Sequence, residues 1–150
     1  MAVITGASRG IGAAIAETLR DAGYRVASFD ISDAAPEGVL GVACNVTDSV
    51  SVDAAFTKVE SELGPVEVLV ANAGITRDTL LLRMSDDDWQ KVIDVNLSGA
   101  FRVVKRATRG MMKQRFGRIV ATSSVVGLLG SAGQVNYSAS KSGLIGMARS

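Results

Sequence analysis

The stretch Ala2-Val3-Ile4-Thr5-Gly6-Ala7-Ser8-Arg9-Gly10-Ile11-Gly12-Ala13-Ala14-Ile15 decides the fold. Ala2 to Ile4 is an apolar run of strand length, whereas Ile11, Ala14, Ile15 and Leu19 recur with the spacing of one helix face. Gly6, Gly10 and Gly12 mark the junction of the two patterns, so the order is strand, tight turn, helix. In such a turn the missing side chains let the backbone approach a pyrophosphate, and free N–H groups at the start of the helix stabilise its charge. Many glycine-rich turns only close a loop. The place of this one, at the first strand-to-helix junction, is what points to a phosphate cradle.

The alternation continues outward. Strands are expected at Ala2–Thr5, 25–29, 41–44, 66–71 and 118–123, several of them continuous apolar runs as in a parallel sheet covered on both faces. Helical patterns occupy 10–22, 50–63, 86–114 and 136 onward, with Ser85 and Asp88 spaced as an N-terminal capping box. The stretch 30–40 contains Pro and Gly and is too short for a crossover helix, so a loop or a single turn is expected there. The pattern predicts one α/β domain with a doubly wound parallel sheet of Rossmann-like kind. No internal repeat, low-complexity tract or interdomain linker interrupts it.

Composition removes several chemistries. The chain has no histidine, which excludes a Ser-His-Asp triad and any His-ligated metal site within it. Acid–base work falls to Tyr, Lys, Asp or Glu. The single cysteine, Cys44, lies among apolar residues, can form no intrachain disulfide and suits a reducing cytoplasm. With 16 basic and 15 acidic residues, the net charge of +1 gives no electrostatic case for nucleic acid or an acidic membrane surface. No apolar run approaches the roughly 18 residues of a membrane span, and no signal-peptide pattern opens the chain. A soluble cytoplasmic protein is the expectation.

Tyr137 and Lys141 are spaced i, i+4, so a helix from residue 136 onward puts them on one face. A free tyrosine ionises at a pH of about 10, and a neighbouring ammonium favours the phenolate. Lys141 is therefore a candidate to tune Tyr137, with Ser124 as an orienting hydroxyl. The spacing alone is common on helices; joined to a phosphate cradle it suggests hydride transfer to or from a carbonyl. Asp30 ends the second strand, where a carboxylate can accept hydrogen bonds from both adenosine ribose hydroxyls and would repel a 2′-phosphate, which favours NADH. A turn-forming aspartate is the plain alternative.

On these residues the chain resembles the short-chain dehydrogenase/reductase family, and within it the bacterial 3-oxoacyl-acyl-carrier-protein reductases. Thr5-Gly6-Ala7-Ser8-Arg9-Gly10-Ile11-Gly12 is similar to the family's cofactor turn, and Asn72-Ala73-Gly74 to its sheet-stabilising element. Ile75-Thr76-Arg77-Asp78 running into Leu82-Arg83-Met84 resembles the acyl-carrier branch. Asn96, Ser124, Tyr137 and Lys141 match the catalytic tetrad.

The resemblance implies a carbonyl reductase of fatty-acid synthesis acting on a 3-oxoacyl thioester. Tyr137 would donate the proton, Ser124 would hold the substrate oxygen, and Lys141 would tune Tyr137 and bind the nicotinamide ribose. Asn96 would distort its helix and hold a water leading from Lys141 to solvent. Gly6, Ser8, Arg9, Gly10, Ile11, Gly12, Asp30, Asn45, Val46, Asn72, Ala73 and Gly74 would contact the cofactor, together with Tyr137 and Lys141. That cofactor is NAD(P)H. Asp30, followed by the apolar Ile31, favours NADH, whereas the acyl-carrier branch and Arg9, a candidate partner for a 2′-phosphate, favour NADPH. Arg115 falls where relatives dock the acidic acyl carrier protein, although a basic cluster at a helix end also serves as a solvated face.

The family further implies a homotetramer built on two long helices. The small residues Ser138, Ala139, Ser140, Ser142, Gly143, Gly146 and Ala148 and the stripe Leu97, Ala100, Phe101, Val104, Ala107 and Met111 suit that interface, or an intrachain core equally well. The sequence given stops at Ser150, inside the catalytic helix, whereas the family continues through two more strands, a Pro-Gly turn and a substrate lid. A piece of a longer protein is therefore expected, lacking the C-terminal strands of the sheet. Two other readings stay open: a related reductase for another ketone or alcohol, and a non-catalytic dinucleotide-binding fragment.

Overall fold

Ala2–Thr5 (β1) forms the centre of a parallel sheet, with Val26–Asp30 (β2) on one side and Val68–Ala71 (β4) on the other. Leu40–Ala43 (β3) and Arg118–Ala121 (β5) complete the order β3-β2-β1-β4-β5. The computed structural model describes residues 1–150. Register follows the pleat: Val3 is opposite both Ala27 and Leu69, so apolar residues of three strands share one face. Because β2 and β4 leave β1 in opposite directions, a crevice opens at the C-terminal ends of β1 and β4, the switch point where α/β sheets bind ligands.

Helices cover the two faces. Gly10–Asp21 (α1) packs Ala16 against Ala2, Ile4, Val26 and Val70. On the other face Ser49–Leu63 (α2) and Gly99–Gln114 (α4) bury Val52, Phe56, Val59, Val103 and Ala107 against Val3, Phe29 and Leu69. Phe29 and Phe56 meet edge to face, with centroids 5.1 Å apart. Arg106 ties α4 to α2 through Asp53 at 2.7 Å and Glu60 at 2.8 Å, with its guanidinium 5.2 Å from the Phe56 ring centroid. α2 begins under a cap from Asp48, whose side chain accepts the Val50 N–H at 2.9 Å.

The expected strands and helices are present, with ends displaced by a residue or two. Residues 66 and 67 stay outside β4: the Glu67 N–H turns to the Met1 carbonyl and begins the ladder. The stretch between β2 and β3 contains no helix, as expected. Ser85 caps Asp86–Ile93 (α3), accepting the Asp88 N–H at 3.1 Å; its hydroxyl also donates to the Asp88 carboxylate, so the box closes through side chains and not through the Ser85 amide.

Three features depart from the expectation. The continuous helix over 86–114 is interrupted by a π-helical turn at Asp94–Ser98, whose extra residue lets Asn96 point inward. A 3₁₀ turn at Leu81–Arg83 and a one-turn helix at Val126–Leu129 (α5) fall in stretches without helical periodicity. β5 lies at the sheet margin, and Ile119 and Val120 are 42% and 52% exposed, so this apolar run is not covered on both faces. The last helix, Val135–Arg149 (α6), packs within the chain: a Cβ on Gly143 would fall 2.7 Å from the Leu97 side chain. Ala100, Ala107 and Met111 belong to the intrachain core, whereas Phe101 is 52% exposed. No helix is long and apolar enough to cross a membrane.

Candidate active site

The crevice holds a cleft of about 630 Å³ beside the glycine turn. Gly6, Arg9, Gly10, Ile11 and Gly12 line it from β1 and α1, Asp30 from β2, Asn45 and Val46 from the segment after β3, and Asn72, Ala73 and Gly74 from the segment after β4. The chain thus brings together nearly all the residues expected to contact a cofactor. Ser8 stands behind Asp30 and does not line the cleft, nor do Tyr137 and Lys141, which stand beside it on α6. Ile31, the apolar residue after Asp30, lines the cleft as well, and so do Phe29, Cys44, Ile75 and Val95, which were not expected. Phe29 and Cys44 read as core from their apolar patterning, and the fold places them at the cleft wall.

Two glycines are required by geometry. Gly6 has φ +67°, and a Cβ there would fall 2.9 Å from the Ala73 backbone; a Cβ on Gly12 would fall 2.2 Å from the Gly6 carbonyl oxygen. The turn is welded to β4 by Thr5, whose hydroxyl accepts the Asn72 and Ala73 N–H groups, each at 2.9 Å. Asn72 Nδ2 returns to the Thr5 carbonyl at 3.1 Å. No side chain caps the start of α1 and its first turn carries no acidic residue, so the N–H groups and dipole are left for an anion.

Asp30 borders the same opening. Its Oδ2 accepts the Ser8 N–H at 3.1 Å and the Ser8 hydroxyl at 2.6 Å, and its Oδ1 accepts the Ile31 N–H at 2.8 Å. Burial pushes the carboxyl up, but these hydrogen bonds and the Arg9 charge outweigh it and hold Asp30 below the usual carboxylate value. Cys44 is the opposite case: burial pushes its thiol up to about 11, so it stays protonated at neutral pH.

Of the four residues expected to form the tetrad, Asn96 lies in the π turn, Ser124 follows β5, and Tyr137 and Lys141 lie on α6. Lys141 is 3% exposed, donates from Nζ to the Thr122 carbonyl at 2.6 Å, and stands 5.6 Å from the Tyr137 ring centroid. It makes no salt bridge, and burial pushes its ammonium below the ordinary lysine value. Asn96 is 1% exposed. Its Oδ1 accepts the Ile75 N–H at 2.8 Å, and Nδ2 donates to the Ile75 carbonyl at 3.0 Å and to Ser140 Oγ at 3.1 Å. Gly74 joins this group to the cleft: a Cβ there would be 3.3 Å from Asn96 Oδ1 and 3.6 Å from Lys141 Nζ. Ser124, half-buried between β5 and α5, accepts the Val126 N–H at 3.3 Å.

Asn136, next to Tyr137, was not expected to matter. It is fully buried, donates to the Arg77 carbonyl at 3.0 Å and the Asp88 carbonyl at 3.3 Å, and accepts the Tyr137 N–H at 2.7 Å. It therefore sets where the tyrosine leaves the helix start. A lone Asn carries no sequence signal for this, because its partners are distant carbonyls. Ser123 adds a further tie, donating to the Lys141 carbonyl at 2.8 Å. Arg115 is exposed at the C-terminus of α4 with φ 54° and precedes β5. In a parallel sheet that places it at the N-terminal edge, away from the cleft of its own chain.

A parallel sheet with a glycine-turn cleft at its switch point and a Tyr–Lys pair beside it defines a class, and the chain belongs to the short-chain dehydrogenase family, whose model matches residues 1–150. It is 53% identical over 148 residues to the 3-oxoacyl-[acyl-carrier-protein] reductase MabA of Mycobacterium avium, an alignment covering 99% of this chain and 58% of that protein. Identity to MabA of Mycobacterium tuberculosis (strain ATCC 25618 / H37Rv) is also 53%, covering 99% of this chain and 60% of the relative. The FabG reductase of Escherichia coli (strain K12) is 47% identical over 158 residues, covering 100% of this chain and 65% of FabG. The chain therefore spans about three fifths of the length of these curated relatives.

Proposed function

We propose that this chain forms the nucleotide-binding and proton-donating part of a reductase that acts on the 3-carbonyl of an acyl thioester. The observation that carries the reading is the junction at Gly74, where the phosphate-cradling cleft meets Lys141 and Asn96 of the tetrad. A dinucleotide needs an uncapped helix start for its pyrophosphate and a hydrogen-bond acceptor for its ribose, and α1 and Asp30 offer both.

A nicotinamide cofactor held in the cleft would supply the hydride for the carbonyl carbon. Tyr137 gives a proton to the carbonyl oxygen as negative charge grows there, and the Ser124 hydroxyl donates a hydrogen bond to the same oxygen and orients it. Lys141, buried and without a carboxylate partner, holds its side-chain nitrogen beside the Tyr137 ring, 5.6 Å from the centroid. Asn96 holds the Ile75 backbone, which fixes the wall between cleft and tetrad.

An ionised Asp30 at the ribose end favours NADH over NADPH by charge repulsion of a 2′-phosphate. The reductase names of MabA and FabG support an acyl-carrier-linked substrate. Arg115, remote from its own cleft, fits carrier docking only if a second subunit's cleft lies beside it, which agrees with the homotetramer of the family. The buried free thiol of Cys44 agrees with a reducing cytoplasm.

The test is Tyr137→Phe, assayed with a 3-oxoacyl thioester and each reduced dinucleotide. Reduction should fall by about 10³-fold or more while the dinucleotide dissociation constant changes little. Substantial turnover in the variant would sink the reading.

A further inference from the structure

Ser8 occupies the middle of the glycine turn, yet both of its donors leave the cleft and converge on one oxygen of Asp30, the N–H at 3.1 Å and the hydroxyl at 2.6 Å. Ile31 takes one position on the other oxygen at 2.8 Å. A carboxylate offers about four lone-pair positions. Oδ2 is therefore filled from within the chain, and Oδ1 keeps about one free acceptor position on a residue that lines the cleft.

We infer that Ser8 is a positioning residue for cofactor selectivity: its two hydrogen bonds turn Asp30 so that one acceptor faces the ribose, and they withdraw the Ser8 hydroxyl from any 2′-phosphate. The inference rests on the cleft being a dinucleotide site with Asp30 at the adenosine ribose. A 2′-hydroxyl can donate to the remaining acceptor on Oδ1. A 2′-phosphate brings acceptors only, meets a carboxylate held in place and ionised, and finds the nearest hydroxyl donor already committed. Of the turn's polar side chains, only Arg9, which is exposed, is then left to receive it.

Without the Ser8 hydroxyl, Asp30 retains one anchor on Oδ2 in place of two. Carboxylate χ2 wells are broad, so the group rotates. The ribose loses its preset acceptor, and a 2′-phosphate gains relief by turning the carboxylate away. The two affinities converge. If Asp30 is itself removed, the Ser8 hydroxyl is released and free to rotate toward the cleft, and the same serine then assists the phosphate it had been kept from.

The test is calorimetric titration of the purified protein with NADH and with NADPH, which reads binding independently of turnover. In Ser8→Ala the ratio of the two dissociation constants should narrow about three- to tenfold, chiefly through weaker NADH binding. Ser8→Thr keeps a hydroxyl and should keep the parent ratio, which separates lost hydrogen bonding from a damaged turn. On an Asp30→Ala background the effect should reverse sign, with Ser8→Ala weakening NADPH more than NADH. A serine with a merely structural role would weaken both ligands on both backgrounds. A parent preference for NADH that Ser8→Ala leaves unchanged overturns the role of Ser8 and spares that of Asp30; a parent preference for NADPH overturns both.

Discussion

Asn96→Ala removes three hydrogen bonds from a side chain that is 1% exposed. Ser140 keeps a partner, since its hydroxyl still donates to the Tyr137 carbonyl at 2.8 Å. The Ile75 N–H and carbonyl lose theirs. At about 1–2 kcal/mol per stranded group, the variant should lose about 2–4 kcal/mol of stability. Urea unfolding reads that loss, and hydrogen exchange at the Ile75 amide reads its origin, because this N–H should become one of the most accelerated in the chain. Asn96→Asp separates acceptor from donor. Its carboxylate can still accept the Ile75 N–H but cannot donate to the Ile75 carbonyl, so it should recover only part of the loss. A loss under about 1 kcal/mol in Asn96→Ala with unchanged exchange at Ile75 would refute the argument that this side chain holds the wall of the cleft.

Gly12→Ala drives a Cβ to 2.2 Å from the Gly6 carbonyl oxygen and 2.7 Å from Asn72 Nδ2, so the turn must shift; dinucleotide binding should be lost by equilibrium titration, alongside a clear drop in the urea midpoint. Lys141 gives a pH signature at the alkaline end. Its folded pKa is lowered by burial, so between that value and the ordinary 10.5 the unfolded chain binds a proton the folded chain has released, and stability rises with pH across that window. Lys141→Met should flatten this alkaline rise in urea titrations; a rise that survives the substitution would assign it to another group.

Much of the site was legible because its residues are adjacent in sequence. The glycine turn, Asp30 at a strand end and the i, i+4 pair Tyr137 and Lys141 depend on local geometry, which a short stretch of chain dictates. The break at Asp94–Ser98 was not legible from periodicity, since apolar spacing runs through it; the resemblance alone pointed to a distortion at Asn96. Its cause is a contact with Ile75, which only the folded chain brings near. Asn136 escaped for the same reason. Its partners are main-chain carbonyls of Arg77 and Asp88, and carbonyls have no residue type to read.

The sequence by itself determined the alternation of strands and helices, the place of the glycine turn and the shared helix face of Tyr137 and Lys141, because each follows from the spacing of residue types along a regular element. The tertiary structure decided which of them meet. Parallel pairing of β1 with β2 and β4 opens the cleft, Gly74 lets Lys141 and Asn96 approach it, and Ser8 is turned to Asp30 across a strand boundary. Those are long-range contacts. They depend on packing and on the direction of individual hydrogen bonds, and the same residue types in the same order would allow other pairings until the sheet closes.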